Sequence, residues 1–139
     1  MISLRMMTDQ CAAGFEDVLN EQFPKRVKAV STLDLGKAKD ITEDHTLIEI
    51  GKKYRRILLT RDTTTIRKNK KPFKPCSHQG IIKAIGMPDD HELLERMRKL
   101  LFSGPTYVRQ IKGHFTHLRS DGATIHKEHG RTIEISFSS

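Results

Sequence analysis

Three aspartates stand where a carboxylate could do chemistry. Asp9 directly follows the stretch Ser3-Leu4-Arg5-Met6-Met7-Thr8, Asp44 lies in "TEDHTLIEI", and Asp62 ends "RRILLTRD". Carboxylates gathered at one place repel each other unless a cation neutralises them, and hard oxygen donors suit Mg²⁺ or Mn²⁺. A cation held that way can activate water and stabilise charge on a phosphodiester in transit. Each acid also has an ordinary role. Asp9 can cap a following helix, Asp44 can complement a helix dipole, and Asp62 can be a turn residue.

A basic segment begins at the third acid. Arg61, Arg67, Lys68, Lys70, Lys71 and Lys74 fall within fourteen positions, with Phe73 as the sole aromatic among them. Such a run is either a solvated loop or a track for a phosphate backbone, which gives salt-dependent and largely sequence-blind affinity. A net charge of +8 favours an anionic partner, nucleic acid first. Thr60, Thr64 and His45 lie beside the acids and are auxiliary candidates. The pairs His114/His117 and His126/His129 have the spacing of helical ligands, but on strands such residues face opposite ways. Cys11 and Cys76 show no ligand spacing, and no P-loop, GxGxxG or GxSxG pattern occurs.

The elements that must position these residues follow from apolar periodicity. Strands are expected over 3–8, 27–33, 56–60 and 80–86. The third and fourth show little alternation, as in a parallel sheet covered on both faces. Helices are expected over 10–23, carrying Ala12, Phe15, Leu19 and Phe23 on one face, and from Thr42 to Tyr54. A third starts at Pro88, with Leu93, Leu94, Met97, Leu100 and Leu101 as its core stripe and Gly104 past its end. The segment 34–41 reads as a loop. In the tail, Asp121-Gly122 and His129-Gly130 mark turns, and Ile133, Ile135 and Phe137 alternate with Thr132, Glu134 and Ser136.

The fold class is therefore α/β: a doubly wound, mostly parallel sheet flanked by helices, with a small C-terminal antiparallel hairpin or meander. One domain spans 1–139, with a core over 1–104 and a hairpin extension over 105–139. No apolar run approaches the roughly 20 residues that cross a bilayer, and the N-terminus lacks a leader-like apolar stretch. A cytoplasmic protein without membrane contact is expected.

In this order, "MMTDQC", "EDHTLIEIGKKYRRILLTRD" and "HQGIIKAI" resemble the PIN-like nucleases, most closely the small stand-alone proteins related to VapC-type toxins. The resemblance covers roughly residues 2–86. It implies a metal-dependent endoribonuclease, either the toxin of a toxin–antitoxin system or an RNA-processing enzyme. Asp9, Asp44 and Asp62 would be the catalytic ligands of Mg²⁺ or Mn²⁺, and Arg61 would contact phosphate. Arg67, Lys68, Lys70 and Lys71 would hold RNA. A small antitoxin protein and a second copy of the chain are candidate partners. Two positions depart from the family pattern: Gln10 stands where Glu is usual, and Thr64 where a further acid is common. The alternative reading is a non-catalytic nucleic-acid-binding module on the same fold.

Overall fold

Ile57-Leu58-Leu59 and Ile81-Ile82 have no polar alternation, so strands built from them need cover on both faces. The computed structural model, which describes residues 3–8, 12, 14–35, 44–61, 78–86 and 88–137, supplies that cover. In chain order the elements are β1 (Leu4–Thr8), α1 (Phe15–Gln22), β2 (Val27–Ser31), α2 (Thr32–Leu35), α3 (Asp44–Tyr54), β3 (Ile57–Thr60) and β4 (Ile81–Ala84). They continue with α4 (Asp90–Leu101), α5 (Pro105–Ile111), β5 (Phe115–Leu118), β6 (Gly122–His126) and β7 (Thr132–Ser136).

Among the described residues the strands form one sheet in the order β2-β1-β3-β4-β5-β6-β7. The first five in that order are parallel, and β6 and β7 are antiparallel additions. One face packs Leu4, Met6, Leu59, Ile82 and Ile125 with Phe15 and Leu19 of α1 and with Leu93 and Met97 of α4. The other buries Met7, Leu58, Ile81 and Phe115, with Leu35 of α2 and Ile50 of α3 packed against them. At roughly 25 cal/mol per Å² of apolar area removed from water, this double cover is the main source of stability.

Several boundaries shift for physical reasons. The first helix begins at Phe15, not at 10, because Gly14 has φ 92°, a left-handed conformation that no helical turn accommodates. Ala12, Phe15, Leu19 and Phe23 are nonetheless all buried, as their spacing predicts. Strand β2 stops at Ser31, and the helical turn α2 occupies the start of the expected loop. Asp89 caps α4 by accepting a hydrogen bond from the Glu92 amide at 2.8 Å.

The region after Gly104 is more than a hairpin. Pro105 opens α5, a helix absent from the expectation, which buries Val108 and Ile111. Strand β5 then pairs with β4 in parallel, Ile81 opposite Phe115, so the tail extends the central sheet. Arg96, 7% exposed, fastens that junction from α4: its Nη1 donates to the carbonyls of Ile85 (2.7 Å) and Leu118 (3.1 Å), just past β4 and at the end of β5.

Candidate functional site

Strand order decides where a ligand can sit. Reading outward from the middle, β2 lies on one side of β1 and β3 lies on the other, so chain direction across the sheet reverses between β1 and β3. In open parallel sheets the crevice beyond the carboxyl ends at such a switch point is the usual ligand site. Thr8, the last residue of β1, is paired with Ser31 on one side and with Leu59 on the other, and Thr60 stands one step beyond Leu59. Thr8, Thr32 and Thr60 are fully buried and Ser31 nearly so; because Thr8 is paired with Leu59, Thr8 and Thr60 face opposite sides of the sheet. Among the described residues the Thr32 hydroxyl, at the start of α2, has no hydrogen-bond partner.

The predicted acids relate to this edge as follows. Asp9 follows Thr8 directly in the chain, and Asp62 follows Thr60 by two residues; both lie outside the described residues. Asp44 is the first residue of α3, and His45 the second, although their side chains are outside the described ones. Helix α3 passes to β3 within two residues, so it runs back against that strand. Its first residue therefore lies toward the end where β3 finishes. Thr64, Arg67, Lys68, Lys70 and Lys71 are outside the described residues as well.

Arg61 is described, and its guanidinium is engaged by the start of α4. Its side chain is 14% exposed, and its Nη1 donates to the Pro88 carbonyl at 3.0 Å and pairs with Asp90 Oδ1 at 2.8 Å. The guanidinium thus bolts the end of β3 to the start of α4. Thr60, the auxiliary candidate before it, is buried in the strand.

One carboxylate at this edge escaped the motif reading. Glu16 accepts from the Thr8 hydroxyl at 2.9 Å and from the Gly14 amide at 3.0 Å. It therefore clasps both ends of the link that carries Asp9. The available signal was weak: an acid in a helix's first turn ordinarily reads as a dipole partner.

The tail histidines pair across strands and not within their sequence spacing. His117 on β5 and His126 on β6 bring Nδ1 and Nε2 to 3.2 Å, with ring centroids 4.9 Å apart. His114 instead places its Nδ1 at 2.7 Å from the Gln110 carbonyl. Among the described residues, no group of three or more histidine, cysteine, aspartate and glutamate side chains is placed to hold a metal. At the opposite end of the sheet, burial and then the neighbouring Arg5 lower the pKa of Arg56 below the ordinary arginine value. The Arg56 Nη1 donates to the carbonyls of Met6 at 3.1 Å and Lys28 at 2.9 Å.

No family model, no curated protein and no solved structure matches this chain. Among the described residues no helix is long and apolar enough to cross a membrane.

Proposed function

We propose that the chain is a metal-dependent endoribonuclease of the PIN-like type, acting at the carboxyl edge of β1 and β3. The observation that carries this reading is the switch point: the strands that precede Asp9 and Asp62 are adjacent, parallel and end together, and α3 starts with Asp44. Three carboxylates are a donor set that suits a hard divalent cation. Asp9, Asp44 and Asp62 would hold Mg²⁺ or Mn²⁺, which supplies water activation and charge stabilisation when bound.

The chain's own residues do the rest. Glu16 is fixed to Thr8 and to the Gly14 amide, described residues on either side of Asp9 in the chain. Arg61, fixed to Asp90, sets where the chain leaves β3 before Asp62. Arg67, Lys68, Lys70 and Lys71 would neutralise the RNA backbone. His45, Thr60 and Thr64, near the acids in the sequence, would be auxiliary groups. An antitoxin-type regulator or a role in RNA processing would follow from this assignment.

Asp62→Asn tests it. RNA cleavage in Mn²⁺ should fall by more than roughly a hundred-fold, the upper range for losing a mere outer-shell partner of a metal. The fold should persist, with stability unchanged or slightly raised as like charges are relieved. Cleavage equal to that of the parent would remove the assignment. A calorimetric Mn²⁺ titration separates the alternative: salt-sensitive RNA binding with no metal-linked stabilisation identifies a non-catalytic binding module. For the nuclease, Mn²⁺ at a hundred times its Kd should add about 2.7 kcal/mol.

A further inference from the structure

Among the described residues, strand β7 is an edge of the sheet without a further neighbour. The Lys127 amide donates to the Arg131 carbonyl at 2.7 Å, and the Phe137 amide to the Asp121 carbonyl at 2.9 Å. These bonds and the β6–β7 register assign residues 131, 133, 135 and 137 to pairing with β6. Thr132, Glu134 and Ser136 therefore turn their N–H and C=O groups outward, and none of those groups meets a backbone partner among the described residues. The other lateral edge is closed. Asn20 of α1 accepts from the Ala29 amide at 2.8 Å and donates to the Ala29 carbonyl at 2.7 Å, filling the place a further strand would take beside β2.

A groove of about 610 Å³ runs along the open edge, between Ile135–Phe137 of the β7 region and Lys99, Phe102 and Tyr107 from α4 and α5. Phe102 is 57% exposed and Tyr107 36%, large apolar surfaces left uncovered beside the free backbone. Phe102 also lines an adjoining cavity of about 450 Å³ with Arg26 and Arg109. The Arg26 guanidinium lies 4.1 Å from the Phe102 ring centroid. Among the described residues, Lys99, Arg26 and Arg109 form no ion pair. Glu134 also lines the groove but is paired with Arg119 at 3.4 Å, so among the described lining residues of the groove and the adjoining cavity cations are in excess.

We propose that this edge accepts an extended segment of a partner protein, alternating apolar and acidic residues, as an added strand on β7. Backbone hydrogen bonds to Thr132, Glu134 and Ser136 would supply affinity, and alternate side chains would enter the groove against Phe102 and Tyr107. Acids on the segment would meet Lys99, Arg26 and Arg109. A second copy fits less well, because each chain carries +8 and a symmetric pairing centred on β7 sets Glu134 against Glu134. This inference is independent of the nuclease assignment, since the groove lies at the far end of α4 from the carboxyl-edge crevice.

The probe is a fluorescein-labelled peptide of about twelve residues alternating glutamate with valine and phenylalanine, a length that covers one added strand. It should bind the full chain in an anisotropy titration and slow deuterium exchange at the amides of Thr132, Glu134 and Ser136. Ser136→Pro removes one outward donor at an edge position where proline is tolerated, and should weaken binding roughly ten-fold. Lys99→Glu should weaken it and flatten its salt dependence. If Ser136→Pro fails to fold, Lys99→Glu and Phe102→Ser decide alone, since both change exposed side chains. Absence of binding overturns the proposal, as does equal binding of a peptide with lysine in place of glutamate, or protection away from β7. Displacement of the peptide by a single-stranded oligoribonucleotide reassigns the groove to nucleic acid. Sedimentation showing a dimer that Ser136→Pro dissociates reassigns it to a second copy.

Discussion

The two lateral edges of the sheet solve one physical problem in opposite ways. At β2 the backbone of Ala29 is satisfied by a side chain, Asn20, whose amide both donates and accepts as a neighbouring strand would. At β7 the outward backbone groups of Thr132, Glu134 and Ser136 have no such substitute among the described residues, and a groove bordered by Phe102 and Tyr107 lies alongside. An unpaired edge invites association, and proteins commonly blunt it. One edge here is blunted and the other is left available, a difference that points to use.

Substitutions can break that contrast in order of expected severity. Gly122 faces β7, and a Cβ there would collide with the Ile135 carbonyl. Gly122→Val should therefore prise β7 away and cost roughly 3 kcal/mol or more, read as a lowered urea midpoint. Asn20→Ala leaves a backbone N–H and C=O without their partners and should cost about 2 kcal/mol. It should also make a second edge available, visible as self-association in sedimentation. Phe102→Ala removes a largely exposed ring and should cost no more than about 1 kcal/mol while abolishing peptide binding, which separates the groove's role from folding. Arg119→Ala breaks an exposed pair with Glu134, 3.4 Å apart, and should change the midpoint by less than about 0.5 kcal/mol, an effect that vanishes in high salt.

The parallel core was legible because its strands are apolar on both faces and its helices have stripes at spacings of three and four. Leu93, Met97, Leu100 and Leu101 needed no further information. Helix α5 was not legible: seven residues give too few turns for a period to show, and two buried residues, Val108 and Ile111, do not make a stripe. The tail's strands were recognisable, but a strand's own residues do not name its neighbour, so the parallel pairing of β5 with β4 could not be read. The same reasoning applies to the site. Motif order placed Asp9 and Asp62 after strands, whereas the adjacency of β1 and β3 comes from strand order alone. Glu16 was hidden because its role depends on Thr8, eight residues away and reached through the fold.

Helix α4 gives the two ends of the molecule a common mechanical part. Arg61 grips its first turn through Asp90 beside the carboxyl-edge crevice, while Lys99 and the Phe102 that follows it line the groove at β7. A rod of twelve residues spans about 18 Å and resists bending. A load that tilts one end must move the other. If a strand added at β7 shifts α4, it alters affinity at the crevice, and occupation of the crevice alters affinity for the strand by the same factor. Arg61 would then be the pivot pin, and its removal would loosen the link between α4 and the end of β3.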